Sequence, residues 1–195
     1  ALTLGVLEDD PTNDVEGYDA RRKIAILASM ILAQEINEMD IPTIGISRLS
    51  EEDFVWAGSE KRRLKLIAAL RQDDASYQLS VLPTALPETD SLANVGGIMN
   101  QVQLKGDIIG SLVFSGTGGG MLSTAHGLWT DFLDVICSRP GYYSNVGKIK
   151  ADHSMERIAE FYLREAGKAP GEIKKISVKE ALSLNNKGFT IIEIA

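Results

Sequence analysis

Glu8-Asp9-Asp10-Pro11-Thr12-Asn13-Asp14-Val15-Glu16-Gly17-Tyr18-Asp19-Ala20-Arg21-Arg22-Lys23 leads without a break into the apolar run Ile24 to Ala33. An acid-rich turn thus opens a long helix, predicted over residues 14–38. Asp14 is placed to cap it, with Val15 and Glu16 in the first turn. The run after Lys23 is apolar nearly all round, the pattern of a buried helix. Gln34, Glu35 and Asn37 close it too early for a membrane span. Asp19 and Lys23 fall one turn apart on the same side. Arg21, Arg22 and Lys23 crowd the first turns, where the helix dipole disfavours positive charge. A lysine placed there beside a carboxylate is a candidate proton carrier. The plainer alternative is an exposed ion pair, which is common and contributes little. At the mouth of a buried helix, however, such a pair is costly unless it is used or well partnered.

The remaining pattern alternates short strands with helices. Pro42 breaks the chain after the first helix, and Ser50-Glu-Glu-Asp53 opens a short helix with a capping-type start. Residues 63–70 and 77–82 read as strands joined at Asp73-Asp74, the second ended by Pro83. Residues 99–104 and 107–114 read as a second hairpin turning at Lys105-Gly106-Asp107. A helix is expected over 119–138, stopped by Arg139-Pro140-Gly141. Beyond it the pattern suggests a loop at 142–145, a helix at 152–166, a linker at 168–171 and a strand at 189–194. The expected fold is α/β of the α+β type: a mixed, antiparallel-rich sheet with helices packed on one face.

Bulk properties narrow the function. The chain has 195 residues, 44% hydrophobic and 24% charged, which suits a globular domain with a small annex. A net charge of −7 argues against nonspecific binding of nucleic acid, which needs a basic face. No membrane span or signal peptide is visible. Cys137 is the only cysteine, so no internal disulfide can form. It reads as a small buried residue, and the expected compartment is the reducing cytoplasm. His126 reads as packed on its helix and His153 as a capping or surface residue. No Cys/His spacing reads as a metal site. Lys61-Arg62-Arg63 reads as a solvated patch.

Asp10-Pro11-x-x-Asp14-Val15-x-Gly17-x-Asp19-x-x-x-Lys23 resembles the signature of homoserine dehydrogenases, and Gly5 and Glu8 fit the same segment. A second block, Gly116-x-Gly118-x-Gly120-x-x-x-Thr124-Ala125, follows the apolar run that ends at Phe114. A third, Leu92-Ala93-x-Val95-x-Gly97-x-x-Asn100, agrees in order. The resemblance covers residues 1–138. Asp90-Ser91 departs from the usual His-Pro, Gly119 from Ala, and Ser123 from Pro.

The resemblance implies a catalytic and dimerisation domain over 1–140, and residues 141–195 are then a C-terminal extension packed on it. It implies reversible conversion of L-homoserine to L-aspartate 4-semialdehyde with NAD or NADP, within threonine, methionine and isoleucine biosynthesis. Lys23 would move the hydroxyl proton, which requires burial and the neighbouring Arg21 and Arg22 to favour its neutral form. Asp19 would position the substrate and steady Lys23. Glu8 would hold the substrate ammonium group, with Asp14 as a helper or merely a cap. Gly5 and Gly120 would touch the cofactor. On its own the glycine loop is no dinucleotide fingerprint, because no acid-closed βαβ unit surrounds it. The family's N-terminal dinucleotide-binding domain is not in this chain. The resemblance and the excess of strand-like runs both imply a homodimer. The rival reading is a non-catalytic dimerisation or regulatory module that kept the fold.

Overall fold

The computed structural model describes residues 10–139, 149–168 and 170–195. The expected loop at 142–145 lies outside them. Its centre is a long hairpin of β1 (Arg62–Gln72) and β2 (Ser76–Pro87), paired from Arg62↔Pro87 to Gln72↔Tyr77. Asp73 builds the turn. Its Oδ1 accepts from the backbone N–H of Ala75 and Ser76 at 2.8 and 2.7 Å, and its Oδ2 accepts from Ser76 Oγ at 2.9 Å. The backbone donors of Ser76 and Ala75 hold this carboxyl below the usual aspartate value.

β2 does not stop at Pro83, as expected, but continues to Pro87. Val81 N–H donates to Pro42 O, and Ala85 O accepts from Ala195 N–H, both on the side away from β1. Pro83 shares their parity, so its missing N–H faces the gap between those two partners. A central strand tolerates proline only where no ladder bond is lost.

The sheet grows across this side in the order β1, β2, β8 (Thr190–Ile194), β6 (Ile158–Arg164), β7 (Glu172–Ser177), with β5 (Ala151–Asp152) also on β2. β8 runs parallel to β2, while β6 is antiparallel to β8 and to β7. The helix expected at 152–166 is therefore absent. Its place is taken by β5 (Ala151–Asp152) and β6. Phe161, Tyr162, Leu163 and Arg164 are all buried, as befits a strand covered on both faces. Such a run has no alternation, and Ile158, Phe161 and Tyr162 can be read at helical spacing just as well.

The long helix predicted over 14–38 is two helices, α1 (Thr12–Val15) and α2 (Tyr18–Leu32). Gly17 separates them with φ +77°, and Ala33 ends α2 with φ 51°. The residue capping α2 is thus Gly17 rather than Asp14, which lies within α1. A Cβ on Gly17 would meet Val81 Cγ1 at 3.1 Å and Leu66 Cδ2 at 3.3 Å. The backbone at this junction is pressed onto the sheet.

α2 buries Ala25, Ala28 and Leu32 with Ile41, Tyr77, Leu79 and Val81. α3 (Glu51–Ser59) has the expected capping box of Ser50 and Asp53. Its Trp56 stacks on Tyr162, ring centroids 3.9 Å apart at 15°. By register, Leu64, Ala85, Tyr162 and Ile192 share the α2 face of the sheet. α2 and α3 meet the expectation of helices on one face. α5 (Val178–Asn186), which the sequence reading missed together with β7, does not. Its Val178 and Ala181 pack with Leu82, Phe161, Leu163 and Ile191, whose parity places them on the opposite face.

Charged groups pin this sheet from within. Arg157 holds Glu193 through two bonds of 2.6 and 3.1 Å, and Arg71 approaches the same carboxylate at 3.5 Å. Arg164 grips Asp53 of α3 through Nε and Nη2, at 2.7 and 2.8 Å. Arg62 donates to Ala85 O and Ala195 O, so it ties the end of β8 to β2 rather than lying in a solvated patch.

The second hairpin, β3 (Met99–Gly106) and β4 (Gly110–Thr117), forms its own two-stranded sheet. Its turn lies at 107–109, two residues beyond the expected Lys105-Gly106-Asp107. α4 (Met121–Ile136) follows. Its residues are exposed save Asp134, and Cys137, which caps it, is exposed rather than buried as expected. His126 also stands exposed on α4 rather than packed. His153 follows β5, its N–H donating to Tyr77 O.

Two stability predictions follow from these contacts. Gly17→Ala should destabilise the fold by about 1–2 kcal/mol through the left-handed backbone alone. Equal urea midpoints for the variant and the parent would refute the left-handed backbone at Gly17. The second concerns Asp53. Burial pushes its carboxyl up, but the bonds from Arg164 and Ser50 outweigh this and hold it below the usual value. A depressed carboxyl stabilises the fold fully above its unfolded pKa near 4, and that contribution is lost as pH falls through the lower folded value. Asp53→Asn should therefore cost about 3–5 kcal/mol at pH 7, since it strands Arg164. Urea melts of parent and variant should converge as pH drops below about 4. A gap that stays constant down to pH 2 would contradict the assignment.

Candidate functional site

The acid-rich block meets the sheet at Gly17. Pro11 O accepts from Asp14 and Val15 N–H, and Asp10 Oδ1 accepts from Thr12 N–H at 3.0 Å. That bond network, Thr12 first, holds Asp10 below the usual aspartate value. Val15 O accepts from Ile46 N–H at 2.8 Å, so the segment after Pro42 straps α1 down. Gly17 then releases the chain into α2 with Tyr18 and Asp19 in its first turn.

Asp19 and Lys23 come together. Lys23 Nζ lies 2.5 Å from Asp19 Oδ2, one helical turn apart. The expectation that solvent is restricted there is not met among the described residues. The Lys23 side chain is 59% exposed and that of Asp19 42%. α2 is apolar all round, yet only one stripe of it is buried; Ile26, Leu27 and Ile31 face outward. The outward stripe is continuous with Lys23, since Leu27 and Ile31 follow it at four-residue steps.

Arg21 and Arg22 are directed elsewhere than expected. Both approach Glu38 Oε2, at 3.8 and 3.6 Å from their Nε atoms. Arg21 also lies over the Tyr18 ring, 5.0 Å from its centroid. Glu38 was missed in the sequence. The signal available was an acid-bearing turn, Glu35 to Asp40, after a helix carrying Arg21 and Arg22 with no acid matched to them.

Asp14 is exposed on α1 and makes none of the recorded side-chain ion pairs. Gly120 begins α4 with φ +134°, a conformation that favours glycine. Its O accepts from Ser123 Oγ and Thr124 N–H, and Gly118 N–H donates to Ile98 O at 2.8 Å. The loop thereby presents bare backbone at a helix start, a surface that fits close approach by a flat or anionic group. Gly120 shares no recorded hydrogen bond with Asp19 or Lys23. Gly5 and Glu8 lie outside the described residues. Among the described residues no group of His, Cys, Asp and Glu could hold a metal ion, and no helix is long and apolar enough to cross a membrane.

Comparison with known proteins shows the family. The family model described as homoserine dehydrogenase matches residues 1–133. A homoserine dehydrogenase of Pseudomonas aeruginosa is 39% identical over 136 residues, covering 70% of this chain and 31% of that protein. An NAD(+)-dependent homoserine dehydrogenase of Pseudomonas canavaninivorans is 38% identical over 136 residues, covering 69% of this chain and 39% of the relative. The crystal structure of a homoserine dehydrogenase from Thiobacillus denitrificans superposes with a TM-score of 0.81 at 25% identity, over 100% of this chain and 57% of that one. The chain spans about a third of the length of the curated relatives it matches. With a family model matched over two thirds of its residues, the chain belongs to the homoserine dehydrogenase family.

Proposed function

We propose that this chain is the catalytic region of an NAD(P)-dependent homoserine dehydrogenase, interconverting L-homoserine and L-aspartate 4-semialdehyde in threonine, methionine and isoleucine biosynthesis. The observation that carries the reading is the Lys23–Asp19 pair at 2.5 Å, raised at the head of α2 inside the family's signature block. Relatives support either cofactor form: one is named NAD(+)-dependent, and a hyperthermophilic archaeal homoserine dehydrogenase with a similar fold is described in complex with NADPH. The bound dinucleotide supplies the hydride acceptor. Gly120, and by the family resemblance Gly5, would contact the cofactor. In oxidation Lys23 Nζ takes the proton from the hydroxyl oxygen of homoserine as the hydride leaves the carbon that bears it, and in reduction it returns that proton to the carbonyl oxygen. Asp19 fixes the direction of Lys23 and faces the substrate. Glu8 accepts from the substrate ammonium, with Asp14 nearby as a weaker counter-charge.

The Lys23 side chain is 59% exposed on α2, and proton transfer gains from a setting that excludes water. The outward Ile26, Leu27 and Ile31 beside Lys23 support closure of this face in the full-length enzyme, which expels water. Residues 1–140 then act as the catalytic and dimerisation domain and 141–195 as an extension packed on it. The pairing of β6 and β8 onto β2 supports that packing. A cytoplasmic location follows from the same reading. The rival reading, a non-catalytic assembly module, is weakened by the retention of Asp19 and Lys23 in contact.

The deciding assay uses the full-length protein with homoserine and each nicotinamide dinucleotide in turn. Lys23→Ala should lower kcat on the order of a hundredfold or more while thermal unfolding stays normal. Near-normal turnover in that variant would end the proton-carrier role.

Assembly is tested separately. The β3–β4 register puts Val102, Leu104, Leu112 and Phe114 on one face, all exposed. The isolated 195-residue chain should sediment as a homodimer without dehydrogenase activity. A monomer at micromolar concentration would remove the dimer claim and leave the active-site assignment standing.

A further inference from the structure

Glu38 lies far from the acid-rich block in sequence, within a single 3₁₀ turn (Glu38–Asp40) after the chain has doubled back along α2. Its Oε2 sits between the two arginines of α2, and both this oxygen and Arg21 Nε are sealed from solvent. Arg21 is also held by Tyr18 and by Met39 Sδ, 3.5 Å from its Nη2. Among the described residues Arg22 is anchored by Glu38 and by Asn13 Oδ1, which accepts from its Nη1 at 3.2 Å. Its side chain is 52% exposed.

Helix geometry puts two cations within reach of Asp19: Arg22 at the third position onward and Lys23 at the fourth. Arginine should win such a contest. Its planar fork matches a carboxylate through two donors, whereas an ammonium acts as a point charge. The recorded partner of Asp19 is nevertheless Lys23, and Arg22 is turned toward Glu38 and Asn13.

We propose that Glu38 is a positioning residue of the active site: it holds Arg22 off Asp19, so that the Asp19 carboxylate stays with Lys23. The inference rests on the proton-transfer role proposed above for Lys23. Glu38 touches neither Lys23 nor Asp19 and acts through Arg22. When its charge is removed, Arg22 keeps one neutral anchor and swings to Asp19. Lys23 then loses the contact that aims it and spends most of its time in unproductive rotamers, so fewer complexes are aligned for proton transfer.

The test is steady-state kinetics on the full-length enzyme, with Lys23→Ala as reference. Glu38→Gln should lower kcat on the order of tenfold, with the cofactor KM little changed. Adding Arg22→Ala to Glu38→Gln should restore most of the lost kcat, because the competitor for Asp19 is gone. Both variants lose the Glu38 clamp on α2, so both should melt somewhat below the parent. Stability falls in both while activity falls in one, which a merely structural role cannot produce. A double variant as slow as Glu38→Gln, or a Glu38→Gln enzyme as fast as the parent while Lys23→Ala is slow, overturns the inference alone. A parent enzyme with no homoserine oxidation overturns the proposed function and this inference with it.

Discussion

The backbone of Gly17 against Val81 and Leu66 is the constraint on which the rest of the site depends. Its left-handed φ turns the chain out of α1 and into α2 within one residue, and the missing side chain lets that turn rest directly on β1 and β2. A continuous helix from residue 14 would have carried Asp19 and Lys23 along the axis of α1 instead. Because the break occurs on the sheet, the first turns of α2 stand at its surface, and Lys23 points away from it. The strap from Val15 O to Ile46 N–H and the bridge from Thr43 to Val81 fix the same junction from the other side. Hydrophobic burial under α2 and the orientation of its charged head thus share one origin.

Charge at that head is arranged so that no cation faces the dipole without an acid. Helix starts disfavour cations, yet three stand in succession at Arg21, Arg22 and Lys23. Lys23 is met by Asp19 within the helix, and Arg21 and Arg22 by Glu38 from the returning chain. Sheet interior and site differ in this respect. Arg164 with Asp53, and Arg157 with Glu193, are deeply buried and bidentate, and they serve to fasten elements. The Asp19–Lys23 pair is open and held by a single contact, a geometry free to rearrange.

The sequence was most legible where one residue type has one physical use. Asp73 in its turn, the Ser50–Asp53 box and the β1–β2 and β3–β4 pairings were all readable, since each is local. Contact between Asp19 and Lys23 followed from helical spacing alone. What could not be read depends on partners distant along the chain. Gly17 looks like a tolerable glycine in a long helix until β2 is placed beneath it. Pro83 reads as a strand end until the Pro42 and Ala195 contacts on its far side are known. β6 reads as a helix because burial on both faces erases the alternation that marks a strand. Glu38 and Arg164 share this difficulty: each is an isolated charge whose partner is set by the tertiary fold. The apolar circumference of α2 misled in the opposite sense, implying burial on every side where the described residues bury only one stripe.

The β3–β4 hairpin has an inverted amphipathicity that bears on how the whole protein is built. Its polar face turns inward: Gln101 donates to Ser91 Oγ at 2.8 Å, and Lys105 approaches Asp90 at 3.8 Å. Its apolar face, with Val102, Leu104, Leu112 and Phe114, turns out. α4, which follows the glycine loop, likewise leaves Leu122, Trp129, Phe132 and Ile136 exposed. A hairpin meant to end at solvent would carry the reverse pattern, since apolar area left in water forgoes about 25 cal/mol for each Å². Contiguous exposed apolar faces of this kind mark surfaces that something covers. The polar contacts at Ser91 and Asp90 are weak and few, so they set the direction of the arm without burying it. Direction is then fixed by this chain, while the stability of the arm, and of the glycine loop that leads from β4 to Gly120 at the start of α4, depends on what covers it.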